Sequence, residues 1–353
     1  MDPQSSIQMT NDFIGSIHVP SAPPTGFDPF QADNETLIKH GLPLSPNRHT
    51  HPEDYDKWQH LMNHARTFIA PKFDVVEDAP PDEYAGGPVS NRWAGAVDIN
   101  SDAENNPYTQ VEGSWIVPRA YPLTVDWTEW GWKNRNYRSA TWVGIDGYHT
   151  NNAHVLQAGT TVNCTVSPRQ TTTHETYAWV EWIPAPPIRL TNFEINSGDL
   201  ITCIVESPDP SKLDHPEPNK TGRIMMFNRS TCNYSTAHMV TPTFGKAVKG
   251  KTAEWIVEGP NCNIKREGRV KQAWSDYKLH TPFLGATFIY DCQAVKSNME
   301  KENLKDALLV NQVQKDRELK TKVVNTAVKE NDRMVGIFSA PTTPVWTQID
   351  EAT

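Results

Sequence analysis

Residues 177–183 read YAWVEWI, a short run in which aromatic and β-branched residues follow the alternating pattern of a β-strand. The alternation places Tyr177, Trp179 and Glu181 on one face of that strand. A face that combines aromatic rings with a carboxylate is more typical of a binding groove than of an ordinary solvated surface. The rings would also desolvate the carboxylate in part, and desolvation raises a carboxyl pKa toward the range useful for proton transfer.

Segments of the same kind recur between residues 91 and 292, separated by turn residues and with hardly a helical period among them. They read VEGSWIV at 111–117, LITCIVES at 200–207, RIMMFN at 223–228, AEWIVE at 253–258 and ATFIY at 286–290. Short strands at this spacing are the pattern of an antiparallel sandwich or barrel. We therefore predict an all-β fold whose main domain spans residues 86–293.

The segment before this domain has a different texture. Residues 1–85 contain many prolines and are predicted to form a mostly irregular leader. Within it, residues 53–69 have helical spacing, and Pro71 would end that helix.

The segment after the domain, residues 294–353, is predicted to be a charged tail. Its part 296–329 is rich in Lys, Glu, Asn, Gln and Leu, which suits an exposed helix or a partly disordered chain. Residues 334–349 suit one more short strand pair.

Charge and composition argue against several classes of function. The net charge is −9 and the basic residues form no stripe, so we expect no nucleic-acid partner. No apolar run approaches the ~18–20 residues that span a bilayer, so we expect no membrane partner. Residues 1–20 are polar and do not resemble a secretory signal. A G-x-S-x-G motif and a phosphate-binding loop are both absent, which disfavours serine-hydrolase and nucleotide chemistry.

Neither a metal nor a cofactor is predicted. The five cysteines are widely spaced and form no CxxC pair, which disfavours a zinc ribbon and leaves disulfide bonding open. His60 and His64 lie at i and i+4 on the predicted leader helix, but the glutamate of a zinc-binding helix motif is missing beside the first histidine. Two exposed histidines on a helix face are the simpler interpretation.

The segment AEWIVE at 253–258 carries the second unusual face. Alternation puts Glu254, Ile256 and Glu258 on one side and the intervening Trp255 and Val257 on the other. For an arbitrary strand, two carboxylates on one face indicate a solvated surface. The similar mixture of rings and carboxylate at 177–183 favours a groove instead.

Five blocks in order carry a resemblance to a known family. They are WAGAV at 93–97, TWVGIDG at 141–147, LQAG at 156–159, AWVEWIP at 178–184 and AEWIVE at 253–258. Over residues 91–292 the chain resembles the fungal and bacterial glutamic peptidases, the eqolisins. The resemblance implies two roughly seven-stranded antiparallel sheets packed as a concanavalin-like sandwich. It also implies an acid endopeptidase that acts on protein or peptide substrates without metal or cofactor, and we expect a monomer.

The resemblance also implies the site residues. The family's catalytic glutamine falls on Gln157, and its catalytic glutamate is assigned to Glu258, the second in its block, with Glu254 supporting. Glu258 would take a proton from water and return it to the leaving amine, while Gln157 would stabilise the oxyanion. The residues of the family's substrate-binding groove fall on Trp93, Trp142, Asp146, Trp179 and Glu181, in addition to Glu254.

Departures from the family pattern bear on the working pH. Thr161 and Tyr177 stand where the family has aspartates, and the loop between Asp146 and Gln157 is one residue longer and contains His149. Fewer carboxylates around the pair predict an activity optimum in milder acid than is usual for the family, and not near pH 2.

Alternatives remain open at the level of the sequence. The leader could act as a propeptide in which Lys39, Arg48 or Lys57 pairs with groove carboxylates. The domain could also be a non-catalytic module that binds a peptide or carbohydrate, or an intracellular interaction protein. The resemblance implies secretion, whereas no secretory signal is visible, so the compartment is left open.

Overall fold

The computed structural model describes residues 11–76, 89–90, 92–122, 135–148, 154–167, 171–243, 245–259, 279–315 and 321–339. Residues 11–16 are helical, and the helices that follow are α1 (Asn34–Lys39) and α2 (Pro52–Met62). The strands are β1 (Thr67–Phe68), β2 (Phe73–Val75), β3 (Val89–Ser90), β4 (Trp93–Ile99), β5 (Tyr108–Ile116), β6 (Arg135–Ile145), β7 (Leu156–Val166), β8 (Thr172–Trp182), β9 (Ile188–Leu190), β10 (Leu200–Glu206), β11 (Thr221–Asn228), β12 (Asn233–Val240), β13 (Thr252–Glu258), β14 (Leu279–His280), β15 (Ala286–Lys296), β16 (Lys301–Glu302), β17 (Leu308–Lys315), β18 (Thr321–Asn331) and β19 (Met334–Ser339).

The strands form two antiparallel layers. In the front sheet the neighbours run β2–β9–β8–β7–β6–β13–β4–β17. In the back sheet they run β12–β11–β10–β5–β15–β19–β18–β17, with β1 parallel to β12. The all-β antiparallel prediction is confirmed. The expected count of two seven-stranded sheets is not, because β17 pairs with both layers and joins them into one network.

The core lies between the two sheets. The inward-facing residues of β8 and β13 are buried there, as the alternation predicted; they are Ala178, Val180, Trp182, Ala253, Trp255 and Val257. Indole groups bond across the layers: Trp115 Nε1 donates to Thr160 Oγ1 at 2.9 Å, and Trp255 Nε1 donates to the Glu112 carbonyl at 2.7 Å. These bonds satisfy polar atoms inside an otherwise apolar interior. The opposite face of the front sheet is left to form the site.

The leader forms a third layer on the outer face of the back sheet. Leu37 of α1 and Trp58 and Met62 of α2 pack against back-sheet residues that include Phe227 and Tyr234. The predicted leader helix is therefore confirmed, but it ends at Met62, because the following segment pairs with β12 as β1. Between these short elements the described leader is irregular, as predicted, but its apolar side chains pack on the back sheet.

The basic residues of the leader are consequently far from the front face. Lys39 lies in α1 and Lys57 in α2, and the Arg48 guanidinium lies 5.6 Å from the ring centre of Tyr55, also in α2. All three belong to the layer on the back sheet. They do not face the carboxylates of the front sheet, so the predicted pairing between them is wrong.

The C-terminal segment completes the sandwich. Helix or disorder was predicted for residues 296–329, but the described residues there form β16, β17 and β18. Helix-favouring composition misled the prediction, whereas burial alternates with period two: Asn325 and Ala327 are buried and Val328 is exposed. The sandwich therefore continues past residue 293, and β19 supplies the first part of the strand pair predicted for 334–349, whose remainder lies outside the described residues.

Within the described part of the chain, no helix is long and apolar enough to cross a membrane. Cys164, Cys203, Cys232 and Cys292 are free thiols, and Cys262 lies outside the described part of the chain.

The packing of the leader predicts that it stabilises the fold. Trp58 is 6% exposed and its Nε1 donates to the Pro43 carbonyl at 3.1 Å. We expect Trp58→Ala to lower the free energy of unfolding by about 3–5 kcal/mol, since it removes a large buried ring. The matched control is Gln59→Ala on the exposed side of the same helix, with an expected change within about 0.5 kcal/mol. Denaturant unfolding measures both, and equal midpoints for Trp58→Ala and the wild type would show that the leader is not part of the folded unit.

Candidate active site

Cross-strand pairing sets the candidate site on the outer face of the front sheet. Glu254 of β13 lies opposite Gly144 of β6, Gly144 lies opposite Gln157 of β7, and Gln157 lies opposite Glu181 of β8. Residues directly opposite in an antiparallel sheet point to the same face. Glu254, Gln157 and Glu181 therefore form one row of candidate catalytic residues across the sheet, called here the catalytic row.

Glu258 lies in a different row. It is four residues along β13 from Glu254, and its row continues through Ala140, Thr161 and Tyr177. At about 3.4 Å per residue, this offset is about 14 Å along the strand. Glu254 and Gln157 are separated only by the width of one intervening strand, about 10 Å between backbones, which two side chains and a water can bridge. The geometry brings Glu254, and not Glu258, together with Gln157.

Gly144 makes this approach possible. A Cβ at residue 144 would lie 3.0 Å from the Gln157 Cβ and 3.1 Å from Cζ3 of Trp142, so even alanine would be crowded there. The glycine leaves a gap between Glu254 and Gln157 that any side chain would fill. The sequence shows Gly144 only as part of the TWVGIDG block, since its position opposite Gln157 depends on strand register.

The Glu254 carboxyl is desolvated. Its side chain is 0% exposed, and neither carboxyl oxygen has a hydrogen-bond partner of good geometry among the described residues. Burial raises the pKa of Glu254 well above its ordinary value; Asp146 adds a repulsive charge, while the Thr252 hydroxyl and the Tyr148 backbone lie near enough to offset part of the rise. A buried carboxyl without firm partners is the kind of group expected to transfer protons.

The Gln157 amide is oriented by Glu181. Gln157 Nε2 donates to Glu181 Oε2 at 2.5 Å, and both residues are buried. This contact fixes which end of the amide is the nitrogen, and Gln157 Oε1 is left without a partner among the described residues. One N–H and the carbonyl oxygen of Gln157 are thus available for other contacts on this face.

Glu258 has an ion pair on one carboxyl oxygen and a hydrogen bond on the other. Arg92 Nη2 lies 2.5 Å from Glu258 Oε1, and Trp142 Nε1 donates to Glu258 Oε2 at 2.9 Å. The Arg92 and Glu258 side chains are 10% and 9% exposed, so this is a buried ion pair. A carboxylate held in this way is suited to a fixed negative charge. Arg92 was not identified from the sequence, although it directly precedes the WAGAV block.

Asp146, which the resemblance placed in the substrate-binding groove, is hydrogen-bonded to the backbone. Its carboxylate accepts from the backbone N–H groups of Lys249, Lys251 and Thr252, at the start of β13. Burial raises the Asp146 pKa, and these backbone hydrogen bonds partly offset the rise. Asp146 is 3% exposed, has a left-handed backbone at φ 64°, and positions the strand that carries both glutamates. This geometry favours a positioning role over contact with substrate.

The predicted groove tryptophans cluster on the same face. Trp93 and Trp142 meet edge to face, with ring centres 5.0 Å apart, and Trp179 belongs to the same apolar cluster. Trp142 is 0% exposed, and Trp93 and Trp179 are 3% and 5% exposed. Their burial supports a packing role, and contact between them and a substrate stays a prediction.

The positions that depart from the family pattern lie at the far end of this face. Thr161 and Tyr177 are opposite each other in the row of Glu258, and the Arg189 guanidinium lies 4.6 Å from the ring centre of Tyr177. Neither adds a carboxylate near the catalytic row. His149 lies outside the described residues.

Other chemistry is less well supported. Asp209, Ser211 and His238 cluster away from the catalytic row, but the aspartate and the serine both contact the same His238 nitrogen, Nδ1. A serine-activating histidine needs its two nitrogens for two different partners. His60 and His64 meet edge to face, with ring centres 5.1 Å apart. Among the described residues no group of three or more His, Cys, Asp or Glu is arranged to hold a metal ion.

The two glutamates are predicted to affect stability in opposite directions. Because the Glu254 pKa is raised in the folded state, its stabilising contribution is complete below the unfolded pKa and is lost as the pH rises through the folded pKa. Glu254→Gln should therefore increase the free energy of unfolding at pH 7, with the gain vanishing at about pH 4. Glu258→Gln should lower it at pH 7, by up to about 3–5 kcal/mol, because Arg92 loses its partner. Denaturant unfolding at pH 4 and pH 7 measures the free energy of unfolding of both variants. Destabilisation by Glu254→Gln at pH 7 would contradict this account of the site.

Comparison with known proteins agrees with the sequence resemblance. A family model described as the Peptidase A4 family matches residues 91–335. Aspergillopepsin-2 of Aspergillus niger is 31% identical over 182 residues, covering 48% of this chain and 56% of that protein, so the chain spans little more than half of this relative.

Similar solved structures include scytalido-glutamic peptidase with a peptide-based transition state analog, at 20% identity and a TM-score of 0.48, covering 71% of this chain and 98% of that one. Aspergilloglutamic peptidase from Aspergillus niger is similar at 22% identity and a TM-score of 0.41, covering 58% of this chain and 99% of that one. Because the family model spans well over half of the sequence, the chain belongs to the Peptidase A4 family, the glutamic peptidases or eqolisins.

Proposed function

We propose that this protein is an endopeptidase that hydrolyses peptide bonds in mild acid with Glu254 and Gln157 as its catalytic pair. The observation that carries the proposal is the catalytic row. A desolvated carboxyl and an oriented amide face each other across Gly144, and both have buried oxygen atoms without partners among the described residues. Membership of a peptidase family supports a protein or peptide as the substrate.

The row supports a direct mechanism. The Glu254 carboxylate accepts a proton from a water whose other hydrogen is held by Gln157 Oε1. The water oxygen bonds to the scissile carbonyl carbon, and the carbonyl electrons move onto its oxygen, which accepts a hydrogen bond from the free N–H of Gln157. Collapse of this intermediate breaks the C–N bond, and Glu254 returns its proton to the departing amine. Loss of one oxyanion donor typically costs ~10²–10³ in kcat.

The two glutamates have the opposite roles in this proposal from those expected from the sequence. The resemblance assigned proton transfer to Glu258 and support to Glu254. Three observations favour the exchange: Glu254 shares the row of Gln157, its pKa is raised by burial, and Glu258 is engaged by Arg92 and Trp142. The comparisons do not distinguish the two assignments, so activity has to decide between them.

A non-catalytic binding module is the second candidate. The observation in its favour is the absence of carboxylates at Thr161 and Tyr177, where the family pattern has them. The raised pKa of Glu254 argues for catalysis, since burying an ionisable carboxyl has no evident use in a pure binder.

A monomeric state also stays a prediction, which sedimentation can test.

Single substitutions are predicted to rank the residues of the site. Glu254→Gln should abolish cleavage of an unfolded protein, and Gln157→Ala should lower kcat by about 10²–10³-fold. Glu175→Gln is the control, because that carboxylate is on the same sheet face but 49% exposed and three rows from Gln157. Its kcat should equal that of the wild type. Full activity of Glu254→Gln together with complete loss in Glu258→Gln would restore the assignment expected from the sequence.

The pH dependence of cleavage is predicted from the Glu254 pKa. The general base must be ionised, so kcat/KM falls as the pH drops through its pKa in the free enzyme. Burial raises that pKa above the ordinary value of 4.5. The fall of kcat/KM on the acid side of the profile should therefore have its midpoint above pH 4.5. A profile of initial rates between pH 2 and pH 7 measures it. A maximum near pH 2 would be incompatible with Glu254 as the base.

A further inference from the structure

The Trp142 indole connects Glu258 to the catalytic row. Its Nε1 donates to Glu258 Oε2 at 2.9 Å. The far edge of the same ring, at Cζ3, lies 3.1 Å from the position where a Cβ on Gly144 would stand. Gly144 separates Glu254 from Gln157. One rigid ring therefore reaches from the ion pair to the gap between the proposed catalytic residues.

The end of the indole at Glu258 is tightly constrained. Arg92 Nη2 lies 2.5 Å from the Glu258 carboxylate, and the Ser139 hydroxyl donates to the Glu258 carbonyl at 2.9 Å. The backbone N–H of Gly259 donates to the Arg92 carbonyl at 2.8 Å, which ties the two residues of the ion pair together through the main chain as well. The Glu258 carboxylate thus offers a fixed acceptor, and not a mobile one, to the indole N–H.

The end of the indole at Gly144 has little space in which to move. Trp142 is 0% exposed, and Trp93 packs against it with an angle of 78° between the ring planes. A Cβ at Gly159, on the neighbouring strand, would lie 2.6 Å from the Trp142 Cβ, so the sheet also fits closely around the base of this side chain. A rotation of the ring about its base would move its far edge toward or away from Gln157.

We infer that Glu258 and Arg92 are positioning residues for the proposed reaction, which act through Trp142. The ion pair fixes the orientation of the indole, and the indole closes one side of the gap between Glu254 and Gln157. This inference rests on the proposed function for its catalytic consequence. It assigns no proton transfer to Glu258, whose offset along β13 is about 14 Å from the row of Gln157.

The expected consequence is a loss of rate more than of binding. Misplacement of the catalytic groups by about 1 Å can lower the rate by ~10²-fold. Glu258→Ala removes the acceptor and should lower kcat by about 10–100-fold while KM changes by less than about threefold. Glu258→Gln keeps an oxygen acceptor for the indole N–H and should restore most of the lost kcat, although it gives up the charge that pairs with Arg92.

The first experiment observes the contact without relying on activity. Proton–nitrogen NMR of the full chain shows the indole N–H resonances, and Trp142→Phe identifies the one from Trp142. In Glu258→Ala that resonance should move upfield and exchange faster with water, and in Glu258→Gln it should stay close to its wild-type position. An unchanged Trp142 resonance in Glu258→Ala would overturn the inference.

The second experiment is a double-mutant cycle on kcat with Glu258→Ala, Trp142→Phe and the double variant, each checked for folding by thermal unfolding. If Glu258 acts through Trp142, the double variant loses no more than the worse single variant. The inference would be overturned if the loss of kcat in the double variant equalled the product of the two single losses. It would also be overturned if Glu258→Gln were as inactive as Glu254→Gln. Absence of cleavage by the wild type would instead reject the proposed function, and the NMR measurement would still decide the contact.

Discussion

Cross-strand register in the front sheet is the constraint on which the site depends. A slip of one residue between β6 and β7 would turn Gln157 into the core and Ala158 onto the site face. The register is held by the interior, where the inward-facing residues of β7, β8 and β13 are mostly apolar and closely packed. The core between the sheets thus determines which polar groups meet on the outside of one of them.

Burial then gives the two glutamates of β13 different chemistry. Glu254 faces a gap left by a glycine and has lost its water without gaining firm hydrogen bonds, so its neutral form is favoured. Glu258 has also lost water but has gained a guanidinium and an indole N–H, so its charge is compensated. The same residue type, four positions apart on one strand, is suited to proton transfer in one place and to positioning in the other.

The sequence predicted the fold class well, because alternation and block order are local properties. Residues 177–183 and 253–258 have the faces that their patterns predicted. The sequence alone does not show which glutamate lies beside Gln157, since that depends on register between strands distant in the chain. Arg92 and Gly144 were missed for the same reason. The segment 296–329 was misjudged because its polar composition suits a helix, whereas its contacts with β4 and β19 make it sheet. The packing of the leader was not predicted, because its apolar residues find their partners only on the assembled back sheet.

The central claim is that Glu254 is the desolvated carboxyl of the site. It is tested most directly by following the side-chain carboxyl carbons of 13C-labelled glutamate by NMR through a pH titration, with the Glu254→Gln variant identifying the resonance. The account predicts one glutamate resonance, missing from that variant, that titrates well above the ordinary pKa of 4.5. A Glu254 resonance that titrates at or below that value would contradict the account.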